Sequence, residues 1–345
     1  MPAATAAPGP DAAPCAVICL AGPTGSGKTA LALHLARELG CEIINADSRQ
    51  VYADFPLITA QPSPEERAAC PHHLYGFLPT GQTISAGRWA AMAAAVAREV
   101  TARGRVPLLV GGTGLYFQAL LRGMAEIPPV APEVTRRLTA RLHSLGPEAL
   151  HAELARADPA YAARIHPRDR QRILRALEVL EDTGRPFSWW HAHAMAAPPC
   201  TGPLLVLDAG LDWLAPRLAR RLDAMLAAGA LDEARAARAR CPGSVAGVRQ
   251  PGWSGIGCAE LLAHLEGEIS LEECRARWLA NTRAYAKRQL TWFRARRGSV
   301  FLPPEGGTSD FLAAAARGLA AARAAEQPKR RGPAESGPVS VSSLT

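Results

Sequence analysis

The pattern of apolar and polar positions opens with a predicted strand, loop and helix. Cys15 to Ala21 is apolar throughout, whereas Thr29 to Leu39 carries apolar residues at the spacing of an amphipathic helix. A short apolar run predicts a buried strand, and a period near 3.6 predicts a helix. The segment between them is rich in glycine.

The same patterns recur along the chain. Glu42 to Asn45, Val106 to Val110 and Pro203 to Asp208 are predicted strands, and Ala86 to Arg103 is a predicted alanine-rich helix. Strands that alternate with helices are typical of a parallel, doubly wound sheet. We therefore predict an α/β fold in which helices flank a parallel sheet.

The pattern changes in the middle of the chain. From Ile127 to about Pro203, helical segments are broken by proline and glycine, and no run resembles a strand. This predicts a mostly helical insertion. Further helices are predicted at Leu211 to Ala228, Leu231 to Arg240, Ala259 to Leu265 and Leu271 to Arg297. The predicted domains are a disordered leader (1–14), the first part of the core (15–126), the insertion (127–202), the second part of the core with basic C-terminal helices (203–325) and a disordered tail (326–345).

Composition narrows the class of protein. The chain is 48% hydrophobic and 20% charged, as soluble globular proteins are, and no apolar run approaches the roughly 20 residues of a membrane span. No basic secretory signal precedes Cys15, so we expect a cytoplasmic protein. Eight cysteines without a C-x-x-C pair predict reduced thiols, and Cys70 to His73 is expected to be a loop or helix start, not a metal site. The net charge of +8 favours a polyanionic partner.

The glycine-rich loop matches the phosphate-binding pattern G-x-x-x-x-G-K-[ST]. Its residues are Gly22, Pro23, Thr24, Gly25, Ser26, Gly27, Lys28 and Thr29. Glycines here let backbone N–H groups surround phosphate oxygens at a helix N-terminus. Lys28 is one of only three lysines among 39 basic residues, which indicates a need for an ammonium group, and Thr29 is predicted to hold Mg²⁺ against the phosphates. The motif predicts a P-loop NTPase-like sheet and a ligand that carries a pyrophosphate.

Polar residues follow the predicted strands at the same edge of the sheet. Asp47 and Thr113 should face the phosphate site, because the carboxyl ends of parallel strands meet there. Taken alone, each is equally well explained as a cap or turn residue. Asp208 is the carboxylate that a P-loop ATPase or kinase would use for its metal, and a helix or turn cap is the alternative for it.

Four motifs in the same order carry a resemblance to a known family. They are the P-loop, INADSRQVY from Ile44 to Tyr52, VGGTGLY from Val110 to Tyr116 and KRQLTWF from Lys287 to Phe293. Further matches lie at Ala163 to Pro167, Gln171 to Arg172 and Arg175 to Val179. With these motifs the chain resembles the bacterial tRNA dimethylallyltransferases over roughly residues 15–302.

The resemblance implies a reaction and roles for individual residues. Members of the family transfer a dimethylallyl group from dimethylallyl diphosphate to N6 of the adenosine 3′ of the anticodon, position 37 of tRNA, with Mg²⁺ present. By resemblance Asp47 accepts the amine proton, and Thr113 lines the channel where the substrates meet. Lys28 and Arg221 face the pyrophosphate by the same resemblance. Without it, Arg220 and Arg221 would be interpreted as a solvated helix face.

A tRNA-binding surface is predicted from charge and from the resemblance. The residues predicted to bind tRNA are Asp47, Ser48, Arg49, Gln50, Thr113, Gln171, Arg172, Ile173, Leu174, Arg175, Arg283 and Lys287. Residues 275–297 hold eight basic and no acidic residues, and Arg283, Lys287 and Arg294 lie opposite the face of Trp278. The stripe of residues at 271, 278, 285 and 292 is predicted to be core. A target adenosine must leave its stack to reach a buried Asp, so the anticodon stem-loop is the expected partner.

The chain departs from the family pattern at Gln61, Thr135, Arg168 and Cys258. The family commonly has Lys, Arg, Asn and Tyr there, so these changes are expected to affect the grip on tRNA more than the transfer chemistry.

Other functions remain open at this point. A P-loop kinase or ATPase is favoured by Asp208, and a prenyltransferase acting on free adenine nucleotides would share the P-loop and Asp47. The insertion and the basic helix argue against the second of these. A non-catalytic RNA-binding protein is disfavoured because Lys28, Thr29 and Asp47 are intact. We expect a monomer.

Overall fold

The computed structural model describes residues 13–245, 248–305 and 308–326. The predicted leader and tail, apart from residues 13, 14 and 326, lie outside this part of the chain. The strands are β1 Cys15–Ala16, β2 Ile18–Ala21, β3 Cys41–Asn45, β4 His72–His73, β5 Val106–Gly111, β6 Cys200–Thr201, β7 Leu204–Leu207, β8 Ser244–Val245, β9 Val248–Arg249 and β10 Ser299–Leu302. The α-helices are α1 Lys28–Leu39, α2 Pro64–Ala69, α3 Ala86–Ala102, α4 Gly114–Arg122, α5 Pro132–Ala157, α6 Pro159–Ala162, α7 Arg170–Thr183, α8 Phe187–His193, α9 Leu211–Ala227, α10 Ala230–Arg240, α11 Cys258–Leu265, α12 Leu271–Arg294 and α13 Thr308–Glu326.

A six-stranded parallel sheet forms the centre of the molecule, in the order β10-β7-β2-β5-β3-β4. The chain builds outward from β2 to β3 and β5 on one side, and later to β7 and β10 on the other. In such a sheet the ligand crevice opens at the carboxyl ends of the strands where the direction of winding changes. The predicted α/β fold with flanking helices is confirmed.

Helices cover both faces of the sheet. On one face α1 and α13 pack Leu35 and Phe311 against Ile18 and Leu205. On the other, α3 and α4 supply Trp89 and Phe117, and α12 adds Phe293. Both faces being covered explains why the strands are apolar runs and not alternating patterns.

The predicted first strand is divided at Val17. Residues of β1 pair with β6, whereas β2 belongs to the central sheet. The Val17 N–H donates to Thr201 O at 2.9 Å, which marks the crossing between the two pairings. Periodicity cannot show such a break, because both halves are equally apolar and buried.

Several elements of the core have no counterpart in the predictions, and α4 and β6 are among them. Others are the two-residue edge strand β4, the edge strand β10, and the helix α13. Edge strands are short and partly exposed, so their hydrophobic signal is weak. The helix α13 is mostly alanine, and its apolar contribution rests on a few residues such as Phe311 and Leu319.

The helical insertion is joined to the core by a narrow two-stranded link. The Glu126 N–H donates to Ala194 O at 2.8 Å, and the Ala196 N–H donates to Met124 O at 2.9 Å. Helices α5 to α8 form a separate apolar cluster that includes Leu138, Leu154 and Leu177. The insertion therefore returns to the core near residue 196. The predicted boundary at 202 is too late, because β6 pairs with the core strand β1.

None of the described helices combines the length and the apolar character that crossing a membrane requires.

Candidate active site

The P-loop leaves the carboxyl end of β2 and leads directly into α1. Gly25 and Gly27 have φ of 83° and 90°, a left-handed conformation that glycine adopts without strain. A Cβ on Gly25 would lie 2.7 Å from Leu218 of α9, so the loop needs glycine for space as well. Gly27 ends the loop at the start of α1, where free N–H groups are available to an anion.

The Lys28 ammonium lies inside the loop. Its Nζ donates to Gly22 O and Pro23 O, both at 2.8 Å. Burial lowers the pKa of Lys28 to about 8, the negative charge of Asp47 opposes this shift, and the Arg221 guanidinium adds to it. The side chain is still mostly charged at pH 7, and a bound pyrophosphate would raise its pKa again. The charges of Asp47 and Arg221 therefore act on Lys28, and the role of the three residues in one site stays a prediction.

Asp47 is fixed by the residue at the end of β3. The buried Asn45 donates from Nδ2 to Asp47 O and Leu74 O at 3.0 and 2.9 Å, and its Oδ1 accepts the Asp47 N–H at 2.8 Å. One carboxylate oxygen of Asp47, Oδ1, accepts the Arg49 N–H at 2.8 Å. Within the described part of the chain Oδ2 has no hydrogen-bond donor, so this oxygen is available to a substrate.

Thr113 lies between the Asp47 loop and α12. Its Oγ1 accepts the Ser48 N–H at 2.9 Å and donates to Ser48 Oγ at 3.2 Å. The Tyr285 phenol of α12 lies near Thr113. Burial, together with the charge of Asp47, raises the pKa of Tyr285 to about 12, so this phenol stays protonated. Thr113 therefore holds the Asp47 loop and lies near a cavity-lining residue.

The glycines around Thr113 are required by close contacts. A Cβ on Gly111 would lie 2.1 Å from the backbone of Ala46. On Gly112 it would lie 2.0 Å from Gln289, and on Gly114 2.3 Å from Trp292. The GGTG motif is thus explained by the approach of β3 and α12.

Helix α9 supplies the second cation of the site. Arg221 is half-buried and lines the cavity, and it forms no hydrogen bond or ion pair with any described residue. Burial lowers the pKa of its guanidinium, and Asp47 opposes the shift. Arg220 is exposed, whereas Arg217 lies over the Trp213 ring at 3.8 Å from its centroid. Of the arginines on this helix, Arg221 alone among the described residues lines the cavity.

These residues surround a cavity of about 400 Å³. Polar and charged side chains line it, and they include Thr24, Asp47, Arg49, Thr59, Gln171, Arg221, Ser254, Thr282, Tyr285 and Arg288. Apolar side chains line it too, namely Ile58, Leu218, Leu222, Met225, Ile256 and Trp278. The cavity is therefore lined by both charged and apolar side chains.

The residues predicted to bind tRNA lie in different environments, some exposed and some buried. Gln171, in the first turn of α7, lines the cavity, and Arg172 is exposed beside it. Ile173 is fully buried in the core of the insertion and Leu174 packs against that core, and the contact of this segment with tRNA stays a prediction. Arg175 forms an ion pair with Glu178 at 3.5 Å.

The other residues predicted to bind tRNA differ in whether their side chains already have partners. Arg283 and Lys287 are exposed on α12 and have no ion pair among the described residues. Gln50 uses its Nε2 to donate to Thr59 O and Ala60 O, at 3.1 and 2.6 Å. Its amide nitrogen is therefore committed to the loop, and its role toward a base edge stays a prediction.

The heptad stripe on α12 is core only in part. Trp278 is buried, but Leu271 is 42% exposed and Tyr285 lines the cavity. Trp292 packs on Gly114 and is half-buried. Helical spacing identifies one face of the helix but not what covers each turn of it.

Asp208 forms an ion pair with Arg294 of α12. Its Oδ1 accepts from Arg294 Nε and Nη2 at 3.2 and 2.7 Å. It does not cap α9, because Gly210 holds that position. The helix-cap interpretation of Asp208 is therefore wrong, whereas its role as a turn cap or a metal carboxylate stays a prediction.

The predicted Mg²⁺ at Thr29 would find few ligands in the protein itself. No cluster of three His, Cys, Asp or Glu side chains is present in the described part of the chain. Cys70 follows α2, and His72 and His73 make up β4, so the expectation of a loop or helix start at Cys70 to His73 is wrong. Thr29 is exposed in the first turn of α1, and the buried Ser26 Oγ has no hydrogen-bond partner among the described residues. Such a site suits Mg²⁺ that takes most of its ligands from a diphosphate and water.

The departures from the family pattern fall in different environments. Gln61 donates from Nε2 to Tyr52 O at 2.8 Å and so braces its own loop. Cys258 is buried in the cluster that includes Trp253 and Trp278, where burial raises the pKa of its thiol. Arg168 donates to Glu148 at 2.8 Å, and Thr135 lies half-buried near the start of α5.

Sequence reasoning missed three residues of this site. Asn45 orients Asp47, Gln289 bonds to the P-loop, and Tyr285 lines the cavity. All three lie in or next to the family motifs. A buried amide directly after an apolar strand is a signal for Asn45, because such a group must find hydrogen-bond partners.

Comparison with known proteins agrees with this geometry. The family described as IPP transferase matches residues 50–296, and the one described as isopentenyl transferase matches residues 15–75. The tRNA dimethylallyltransferase of Desulfovibrio desulfuricans is 67% identical over 315 residues, which cover 91% of this chain and 96% of the relative. That of Lawsonia intracellularis is 45% identical, with 84% and 94% of the two chains covered.

Solved structures give the same result. The tRNA isopentenylpyrophosphate transferase of Bacillus halodurans has a TM-score of 0.63 and 31% identity, covering 90% of this chain and 99% of its own. A eukaryotic dimethylallyltransferase acting on tRNA has a TM-score of 0.71 and 30% identity, covering 87% and 76%. The chain therefore belongs to the IPP transferase family, the tRNA dimethylallyltransferases.

Proposed function

We propose that this protein transfers a dimethylallyl group from dimethylallyl diphosphate to N6 of the adenosine at position 37 of tRNA. The observation that carries the proposal is that Asp47 and Arg221 line one cavity and that the charges of both act on Lys28 of the P-loop, in a chain of this family. The charged side chains suit a diphosphate, and the apolar side chains suit a five-carbon chain.

Asp47 acts on the adenine amine. The N6 lone pair is delocalised into the ring, so the amine attacks only when its proton is drawn away as the new N6–C1 bond forms. Asp47 Oδ2 takes that proton, while Oδ1 remains bonded to the Arg49 N–H. Asn45 keeps the carboxylate at the edge of the sheet.

The leaving group is stabilised by the P-loop and α9. As the C1–O bond of the donor breaks, both electrons stay on the pyrophosphate, and fixed cations lower the barrier most where this charge develops. Lys28 and Arg221 supply two cations, the amides at the start of α1 supply donors, and the Ser26 hydroxyl is a further free group. Mg²⁺ held by Thr29 would neutralise further charge on the pyrophosphate.

The anticodon stem-loop reaches the cavity from the side of the insertion. Gln171 of α7 and Arg288 of α12 both line the cavity, and Arg283 and Lys287 lie along the same helix as Arg288. Exposed cations at this edge suit the phosphates that flank a flipped base. With tRNA as the acceptor, we place the protein in the cytoplasm, acting as a monomer.

Neither alternative enzyme fits the site as well. A kinase or ATPase would need a carboxylate near the metal, but Asp208 is bound to Arg294. A prenyltransferase for free nucleotides would not need the insertion that places Gln171 at the cavity.

The overall assignment is tested with purified protein and two acceptors. With dimethylallyl diphosphate and Mg²⁺, unmodified tRNA should yield prenylated adenosine in nucleoside digests, whereas AMP should not. Chelation by EDTA should remove the product, and the affinity for inorganic pyrophosphate measured by calorimetry should fall as well. Product with AMP alone, or ATP hydrolysis without prenyl transfer, would contradict the assignment.

Replacing Asp47 tests the proton acceptor. We expect Asp47→Asn to lower kcat by about 10² to 10⁴-fold, since a positioned base contributes on that scale. Affinity for tRNA, measured by filter binding, should stay within a few-fold because the amide keeps the shape of the side chain. Asp232→Asn, at an exposed position on α10, is the control. Turnover at the wild-type rate in Asp47→Asn would remove Asp47 from this role.

Adjacent arginines on α9 allow a matched comparison. Arg221→Gln should reduce kcat about 10²-fold, as the loss of one transition-state donor does. Arg220→Gln should change it less than about twofold, because Arg220 is exposed and does not line the cavity. Steady-state prenylation at saturating tRNA measures both. Equal losses in the two variants would show that net charge, not position, is responsible.

The exposed cations of α12 are tested by salt dependence. Arg283→Ala with Lys287→Ala should weaken tRNA binding and flatten the plot of log K against log [salt] by about 1.5 units, since each phosphate contact contributes roughly 0.7 to 0.9. The matched control is Arg37→Ala with Arg105→Ala. These two exposed arginines lie in the last turn of α1 and just before β5, at the amino ends of the strands and away from the cavity. An unchanged slope in the first variant, or the same flattening in the control, would contradict this surface.

A further inference from the structure

A buried amide on α12 joins the two loops that form the cavity. Gln289 is only 4% exposed. Its Oε1 accepts the Thr24 N–H at 3.0 Å and lies 3.5 Å from the Thr24 hydroxyl, and its Nε2 donates to Gly112 O at 3.0 Å. One side chain therefore bonds to the P-loop and to the loop that carries Thr113.

This bridge lies where the sheet stops holding the loops together. The ladder between β2 and β5 ends at the pair Ala21 and Gly111. In the described part of the chain, Gln289 is the side chain that hydrogen-bonds to both loops beyond that pair. The distance between the P-loop and the loop that carries Thr113 therefore depends on the length of the Gln289 side chain.

The backbone is shaped to admit this amide. A Cβ on Gly112 would lie 2.0 Å from Gln289 Nε2, so any other residue there would push the amide away. Trp292, three residues further along α12, packs against Gly114 in the same way. Helix α12 therefore packs closely on this loop at two points, Gln289 and Trp292, which lie about one helical turn apart.

Gln289 also determines which amides of the P-loop remain for a ligand. Its Oε1 occupies the Thr24 N–H and the Ser26 N–H donates to Pro23 O at 3.2 Å, so an anion has to use the N–H groups of Gly25 and of Gly27 to Thr29. The same helix carries the exposed Arg283 and Lys287. Helix α12 thus bonds to the P-loop through the buried Gln289 and carries exposed cations on its outer side.

We infer that Gln289 is a positioning residue that sets the distance between the pyrophosphate-binding loop and the Thr113 and Asp47 side of the cavity. It touches neither substrate in this arrangement and acts through Thr24 and Gly112. This inference rests on the proposed function, because the loops it spaces are those that would hold the diphosphate and the adenosine.

Three substitutions separate the two hydrogen bonds. Gln289→Glu keeps an acceptor for Thr24 but places a carboxylate oxygen against Gly112 O. Gln289→Asn is shorter and reaches one loop at most, and Gln289→Leu removes both bonds. Gln118→Leu is the control, since Gln118 is half-buried on α4 and has no hydrogen bond to either loop in the described residues.

Kinetics and pyrophosphate binding test the inference. We expect Gln289→Leu to raise the KM for dimethylallyl diphosphate about tenfold and lower kcat by about 10 to 100-fold, the scale of a misplacement near 1 Å. Calorimetry with inorganic pyrophosphate and Mg²⁺ should show a similar loss, whereas the Kd for tRNA should stay within about twofold. Gln289→Asn should lie between this variant and wild type.

The outcomes are distinguishable. A merely structural role would lower Tm and the active fraction but leave KM and the pyrophosphate Kd of the folded protein unchanged, and this result would overturn the inference. Loss of tRNA affinity equal to the loss of pyrophosphate affinity would overturn it too. If wild type binds pyrophosphate but prenylates no tRNA, the proposed function fails. A weaker pyrophosphate Kd in Gln289→Leu would still support the positioning role.

Discussion

The site depends on holding the Lys28 ammonium at the end of a buried strand. Removal from water disfavours the charged form, and the protein offsets this with two carbonyl oxygens of the P-loop and the nearby negative charge of Asp47. Arg221 adds a second positive charge, which makes the free site electrostatically strained. A diphosphate resolves that strain, because it brings the negative charge that the loop, Lys28 and Arg221 lack.

A second constraint is the close approach of loops to neighbouring elements. Glycines at 25, 112 and 114 let α9 and α12 come within contact distance of the backbone. This proximity allows Gln289 and Tyr285 to reach the loops without long side chains crossing the cavity. Parts of the chain that are far apart in sequence therefore combine into one preorganised site, which is where electrostatic stabilisation is most effective.

The insertion and the core divide the work of substrate recognition. The core carries the groups proposed to bind phosphate and accept the proton, and the insertion contributes Gln171 to the lining of the cavity. The buried position of Ile173 shows that the first turn of α7 presents alternate sides to the insertion core and to the cavity. Departures such as Arg168, paired with Glu148, are satisfied within the insertion itself and leave the transfer site unchanged.

The sequence by itself determined the sheet, most core helices, the P-loop and the family, because these depend on local periodicity and on motifs of fixed spacing. It also identified Lys28, Asp47, Thr113 and Arg221, the last through resemblance alone. Only the tertiary structure decided which face of each helix is covered. It placed Tyr285 on the cavity and Ile173 in a core, and it bound Asp208 to Arg294. It also revealed β10, α13 and the bridge of Gln289, because edge pairing and contacts between distant segments leave no periodic signal in the chain.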